Sequence, residues 1–262
     1  MAKLKFHYLY GPVYSWRLGQ SLGIDPLSQP RKICTFDCVY CQLGRARPEA
    51  GRRRVCVPTR LILEELRRIT PGVKIDYITF SGNGEPTLAK NLGALIRGAK
   101  KIRPEPVAVI TNATLLHRPD VRQELMAADF VMAKLDAATS GLWQRVNHPV
   151  QGTRWQSIVS GIKSFRRRYR GVLALQMMFV PENLADAARL AQLAREIKAD
   201  EVQLNTPLRP SEATPLSRGQ MQQLKKTIFQ GLPVITVYER RKTPVRPISR
   251  NDTLKRRGKR LA

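Results

Sequence analysis

Three of the four cysteines fall within one short run, Cys34-Thr35-Phe36-Asp37-Cys38-Val39-Tyr40-Cys41, at the spacing C-x3-C-x2-C. An aromatic residue, Tyr40, stands just before the last of them. Three thiolates packed this closely can hold a [4Fe–4S] cube by three of its irons, leaving the fourth iron without a protein ligand. An iron open to a small molecule is a place for chemistry, whereas a full set of cysteine ligands favours electron transfer. Structural zinc is the competing reading, because zinc also takes clustered cysteines and wants four ligands. Cys56 is the available fourth, in Arg52-Arg53-Arg54-Val55-Cys56-Val57-Pro58, but no cysteine or histidine stands beside it. It reads better as a small apolar filler.

A second segment with chemical character is Thr79-Phe80-Ser81-Gly82-Asn83-Gly84-Glu85-Pro86, which follows the apolar strand candidate Ile75–Phe80. Taken together, the cysteine motif and this Gly/Glu segment resemble the radical S-adenosylmethionine (radical SAM) superfamily. The family pattern has adjacent glycines before a glutamate; here Asn83 separates Gly82 from Gly84. The stretches Arg17 to Asp25, Gln42-Leu43-Gly44, Lys134-Leu135-Asp136-Ala137 and Arg145-Val146-Asn147-His148-Pro149 resemble one subgroup. That subgroup comprises short iron–sulfur oxidoreductases near the wyosine base synthases of tRNA. The resemblance runs from about Tyr10 to about Pro210, and is specific at the cysteines and the Gly/Glu loop.

What the resemblance implies is concrete. A [4Fe–4S] cluster would sit on Cys34, Cys38 and Cys41, with S-adenosylmethionine chelated to the open iron. An electron from an external donor of flavodoxin or ferredoxin type would cleave it to methionine and a 5′-deoxyadenosyl radical. Gly82, Asn83 and Gly84 would let backbone groups approach the methionine part without a Cβ in the way. Glu85 would accept hydrogen bonds from its ammonium group, and Tyr40 would pack near the adenine. Asn112 is a partner for ribose or carboxylate groups, Lys134 for the methionine carboxylate and Asp136 for a ribose hydroxyl. A structural role competes evenly for these three, and Asn205 is the weaker candidate. His148 reads as structural, and His7 and His117 receive no role.

These residues need a scaffold, and the apolar pattern supplies one. Strand candidates at Ile75–Phe80, Val107–Thr111, Phe130–Leu135, Leu173–Val180 and Val202–Asn205 alternate with helical patterns. The helices fall near Thr59–Ile69, Leu88–Lys101, Pro119–Ala128, Trp155–Arg168 and Leu184–Lys198. Such alternation implies parallel βαβ units. With a first strand expected just before Cys34, there are about six units, fewer than a closed barrel carries. The fold class expected is α/β, a partial (β/α)6 TIM-like barrel of the radical SAM type with a basic C-terminal tail. The cysteine loop, the Gly/Glu loop, Thr111-Asn112, Lys134-Leu135-Asp136 and Asn205-Thr206 all fall at strand carboxyl ends, where such barrels do chemistry. A helix near Ser217–Phe229 and an edge strand at Val234–Val237 are expected to follow. The Gly/Pro-rich segment from Tyr8 to Arg31 is expected to cover one edge. Residues 1–239 then form the core domain and 240–262 a flexible tail or partner-binding arm.

A length of 262 residues and an apolar fraction of 42% suit one domain with a sizeable core. No stretch approaches the roughly 18 apolar residues of a membrane helix, and Met1–His7 lacks the apolar region of a secretory signal. Clustered free thiols suggest a reducing compartment, so a cytoplasmic location is expected. The formal charge of +26 is the unusual quantity. Arg45, Arg47, Arg52-Arg53-Arg54, Arg166-Arg167-Arg168, Arg170 and the C-terminal run around Lys255-Arg256-Arg257-Gly258-Lys259-Arg260 carry much of it. A field of this sign attracts phosphate backbones, although basic runs are also common on solvated faces. With 6% aromatic residues, stacking platforms for single-stranded RNA are scarce. The leading expectation is a radical SAM enzyme acting on an RNA base, with tRNA as the partner. The alternatives are a glycyl-radical activase or a peptide or small-metabolite radical SAM enzyme. A third class is a non-enzymatic, zinc- or cluster-stabilised nucleic-acid-binding protein.

Overall fold

The computed structural model describes residues 6–44, 52–240 and 244–257. Eight strands form one curled sheet in sequential order. They are β1 (Leu9–Ser15), β2 (Gly19–Ile24), β3 (Tyr77–Phe80), β4 (Val107–Thr111), β5 (Phe130–Lys134), β6 (Val172–Met178), β7 (Glu201–Asn205) and β8 (Val234–Thr236). β1 runs antiparallel to β2, and every pair from β2 to β8 is parallel. The helices are α1 (Thr59–Arg67), α2 (Leu92–Ile102), α3 (Pro119–Leu125), α4 (Ser140–Asn147), α5 (Trp155–Arg166), α6 (Ala187–Ile197), α7 (Arg218–Thr227) and α8 (Arg250–Arg257). This is a half-barrel, the partial TIM architecture expected.

The central strands are apolar runs because both of their faces are covered. Within β6, all of Leu173 to Met178 is buried. In α2 the buried residues Leu92, Leu95, Ile96 and Ala99 recur at helical spacing and lie against the sheet's outer face. The concave face holds a separate small core of Leu18, Ala108, Phe130, Met132 and Ala174. Leu18 comes from the β1–β2 turn, at the amino end of the parallel strands.

Three differences from expectation are informative. The first parallel strand is β2, not a strand just before Cys34, where the structure has an isolated bridge between Ile33 and Gly84. Pro30 and the cysteines leave too short an apolar run there for a strand. The Gly/Pro-rich segment is no mere cover, because β2 lies inside the sheet. Its glycines hid the alternation: a Cβ on Gly23 would fall 2.0 Å from the Tyr10 ring, which lies over it. Finally, within the segment expected as a basic tail, α8 docks on β1. Gly11 N donates to Thr253 Oγ1 (3.0 Å) and Phe6 N to Asp252 Oδ2 (3.3 Å). These contacts are polar, so apolar periodicity gave no sign of them. Residues 241–243 and 258–262 of that segment lie outside the described residues, as do Arg45 and Arg47. Among the described residues no helix is long and apolar enough to cross a membrane.

Candidate functional site

The cysteine loop is held between two neighbours that are distant in sequence. On one side Ile33 N donates to Asn83 O (3.1 Å) and Glu85 N donates to Ile33 O (2.9 Å), so the loop after β3 pairs with the approach to Cys34. Beyond Cys34, the partner is the end of α4 and the residues following it. Val150 N donates to Thr35 O (2.9 Å), Asp37 N to Asn147 O (3.0 Å) and Val39 N to Val146 O (3.0 Å). Thr139 caps the start of α4 by accepting from Leu142 N, and His148 ends it in the left-handed region. The His148 ring meets Asp37 O at 3.1 Å, a structural placement. Phe36 packs edge-on against Trp143, with ring centroids 5.7 Å apart.

Each sulfur of the motif meets a nitrogen donor from a different part of the chain. Asn112 Nδ2, just after β4, lies 3.6 Å from Cys34 Sγ. Asn147 Nδ2, at the end of α4, lies 3.3 Å from Cys38 Sγ. Lys32 Nζ lies 3.4 Å from Cys41 Sγ. Burial pushes the Cys38 thiol up to about 11, with the Asp136 carboxylate adding to the effect. Burial, then Glu85 and Cys38, push Cys34 up as well. A bound cation reverses this logic and takes the proton from a coordinating thiol outright.

The remaining candidates gather in two groups around these sulfurs. Beside Cys34, the buried Glu85 carboxylate accepts from Thr87 N (3.1 Å), Thr87 Oγ1 (2.6 Å), Thr111 Oγ1 (2.6 Å) and Asn112 N (2.6 Å). Burial raises its pKa, and these four donors oppose the rise. Asn112 also donates to Thr35 Oγ1 (2.8 Å), which fixes its amide over the loop. Beside Cys38, Tyr40 donates from its hydroxyl to Asp136 Oδ2. Asn147 Nδ2 reaches the Tyr40 hydroxyl (2.7 Å) and Asp136 Oδ2 (2.9 Å). Asp136 Oδ1 accepts from Met178 N (2.8 Å). Lys134 stands 4.8 Å over the Tyr40 ring and 3.5 Å from Asp136.

Gly82 and Gly84 are placed by packing. A Cβ on Gly82 would meet Asp25 at 2.4 Å, and Asn83 N donates to that carboxylate (3.2 Å). The room beside both glycines is thus filled by protein in this structure. Asn205 is buried, its Oδ1 accepts from Thr206 N (3.0 Å), and it pairs across the sheet with Met178, the residue whose N bonds Asp136.

Two residues that the sequence reading did not single out stand against the sulfurs, Lys32 and Asn147. Asn147 belongs to Arg145-Val146-Asn147-His148-Pro149, but nothing in that stretch marks it as a neighbour of Cys38, 109 positions away. A small cavity beside the cysteine loop is lined by Phe36, Asn112, Lys134, Asp136, Trp143 and Asn147, among others. Asn147 Oδ1 is buried without a donor. In donor chemistry, an orphaned amide acceptor close to three soft sulfurs suits a cluster with a polar organic ligand. Among the described residues no group of three or more His, Cys, Asp or Glu converges on a single ion. A cube makes a weaker demand than zinc here, since it gives each thiolate its own iron. Cys56 packs half-buried against the core.

The basic runs divide. Arg53 is buried in an ion-pair network, donating to Asp120 Oδ2 (2.9 Å), Glu124, Thr87 O (2.8 Å) and Ala89 O (2.9 Å). Arg166 pairs with Asp200 at 2.8 Å. Arg52, by contrast, is exposed.

The sequence profile of the radical SAM superfamily matches residues 29–194. A UPF0026 protein of Synechocystis sp. is 45% identical over 218 residues, covering 81% of this chain and 79% of its own length. Among solved structures, Streptococcus suis SuiB bound to its precursor peptide SuiA superposes with a TM-score of 0.61 at 16% identity, covering 79% of this chain and 47% of that one. A radical SAM methyltransferase from Sphaerobacter thermophilus gives a TM-score of 0.59 at 14% identity, over 82% of this chain and 65% of that one. This chain therefore spans less than two thirds of either solved chain, and the likeness is one of fold.

Proposed function

This chain belongs to the radical SAM superfamily and to the UPF0026 proteins, and from that premise we propose that Cys34, Cys38 and Cys41 hold a [4Fe–4S] cluster that binds S-adenosylmethionine. The observation that carries the reading is the set of N–H donors: each of the three sulfurs meets one, from Asn112, Asn147 and Lys32 respectively. Thiolates and cluster sulfides are acceptors, and such donors are a common means of holding them. When bound, the cluster and S-adenosylmethionine together supply reductive cleavage to methionine and a 5′-deoxyadenosyl radical, which takes a hydrogen atom from a substrate.

The chain's own residues bind and orient. Asn112 Nδ2 and Asn147 Nδ2 hold the thiolates of Cys34 and Cys38. Glu85, the hub of four donors, fixes the end of β4 against the Gly/Glu loop. Lys134 and Asp136 offer a cation and an anion at the cavity for the amino-acid and ribose groups of the cofactor, with Tyr40 packed beside both. Asn147 Oδ1 supplies an acceptor awaiting a donor. Trp143 and Phe36 form an apolar wall that excludes water. Beyond the motif the chain has one cysteine, Cys56, so the electron comes from a separate donor of flavodoxin or ferredoxin type.

We further assign the substrate to an RNA base, with tRNA as the partner. The support is the charge of +26, which favours a polyphosphate partner. The test is 5′-deoxyadenosine formation by anaerobically reconstituted, reduced protein with and without bulk tRNA. Stimulation by tRNA supports both parts. Slow formation indifferent to tRNA keeps the enzyme class and turns the substrate toward a peptide or small metabolite. No product from protein with an intact cluster and a working reductant would overturn the reading.

A further inference from the structure

Lys32 lies two residues before the first cysteine, and its side chain is only 5% exposed. An ammonium group has three N–H donors, and here three acceptors face it. Asp37 Oδ1 stands at 3.0 Å, Gly44 O at 2.8 Å and Cys41 Sγ at 3.4 Å. The three acceptors lie between the first two cysteines, just past the third, and on the third itself. A buried ammonium persists only when paired and hydrogen-bonded, and Asp37 with the Gly44 carbonyl provides that. The third contact sets a full positive charge against a proposed ligand sulfur. Asn112 and Asn147 give Cys34 and Cys38 neutral amides, so among these three donors only the one at Cys41 is charged.

We propose that Lys32 is a positioning residue that sets the reduction potential of the cluster, acting through the Cys41 sulfur, with Asp37 as the counter-charge that tempers it. The inference rests on the cluster reading of the preceding section. Reduction adds an electron to the cluster. A fixed positive charge at a ligand sulfur stabilises the reduced form more than the oxidised form and raises the potential, while a nearby carboxylate lowers it. Hydrogen bonds to the sulfurs and net local charge are the levers by which proteins tune such clusters. Lys32 supplies both, and the Gly44 and Asp37 contacts keep the ammonium from turning away.

The test is a potentiometric titration of the reconstituted protein, followed by electron paramagnetic resonance of the reduced cluster, with iron and sulfide content measured on every sample. Lys32→Met is expected to lower the potential by at least a tenfold change in the reduction equilibrium, ~59 mV for a one-electron couple. Asp37→Asn is expected to move it the opposite way, and Lys32→Arg to return most of the wild-type value. A purely structural latch would give variants that lose cluster without opposed shifts in what remains. If Lys32→Met assembles no cluster, Asp37→Asn and Lys32→Arg still decide the matter. Unshifted potentials, or shifts of one sign in both charge variants, overturn this inference alone. A wild-type protein that assembles no cluster overturns the preceding reading and this one together.

Discussion

Gly84 and Ile33 are in backbone contact: a Cβ built on Gly84 would lie 1.8 Å from the Ile33 carbonyl oxygen. Gly84 has a φ of 149°, a region that residues with a side chain rarely enter. The same carbonyl accepts from Glu85 N. The glycine of the Gly/Glu loop is therefore what lets the cysteine loop lie in register against the end of β3.

Gly84→Ala should accordingly push the approach to Cys34 off the barrel rim. Strained backbone and an overfilled contact together predict a cost of ~2–4 kcal/mol. Chemical denaturation of the cluster-free protein reads this, and cluster content after reconstitution should fall as well. A wild-type midpoint would mean that Ile33 gives way cheaply and that the contact is incidental.

Cys38→Ala removes the most deeply buried sulfur of the three. Cluster assembly should fail, seen as loss of iron and of the visible absorption band. Retained iron together with retained 5′-deoxyadenosine formation would sink the ligand assignment. Asn147→Ala should keep the ligand set and shift the cluster's spectroscopic signature, because it strips the donor from Cys38 Sγ.

Glu85 carries a pH prediction. Burial raises its pKa, so the folded protein binds this proton more readily than the unfolded chain. Stability from this group is present below the unfolded value and is lost as pH rises through the folded one. Glu85→Gln places an NH2 against the four donors and should cost ~1–3 kcal/mol. The deficit relative to wild type should be larger near pH ~4 than near pH ~8, where wild type bears the cost of a buried charge. Urea denaturation at the two pH values measures the difference, and a deficit that grows with pH would reverse the sign argued here.

The polyanion reading predicts a salt-dependent affinity for tRNA. Deleting residues 258–262 removes Lys259 and Arg260 while sparing the polar contacts of Asp252 and Thr253 with the chain near β1. If those cations meet phosphates, the slope of log affinity against log salt should shrink by about one for each phosphate no longer neutralised. An unchanged slope moves the RNA-binding surface to the body of the protein, with exposed Arg52 the next to test. Arg53 is the comparison that should not report RNA binding, since its guanidinium is consumed by Asp120, Glu124 and two carbonyls.

Much of the scaffold was legible because parallel βαβ units write themselves locally. The run Val107–Thr111 is a strand with the bounds its apolar residues give, and α1 starts at Thr59 as its pattern requires. β2 was missed because Gly19 and Gly23 carry no side chains to alternate, and its parallel partner β3 lies more than fifty residues further on. Helix α8 escaped notice because its buried contacts are those of Asp252 and Thr253, whose polarity reads as surface.

The same division runs through the site. The spacing of Cys34, Cys38 and Cys41 and the sequence Gly82-Asn83-Gly84-Glu85 are local properties, and they alone point to the superfamily and the ligand set. Which atoms press on those sulfurs is a property of closure. The amide of Asn147 reaches Cys38 across 109 positions, and that of Asn112 reaches Cys34 across 78. A hydrogen bond acts over about 3 Å, so such partners exist only once the sheet has curled far enough to bring β4, α4 and the cysteine loop to one rim. Lys32 shows the limit most sharply. It lies nine positions from Cys41, yet only the folding back of the loop turns its charge onto that sulfur.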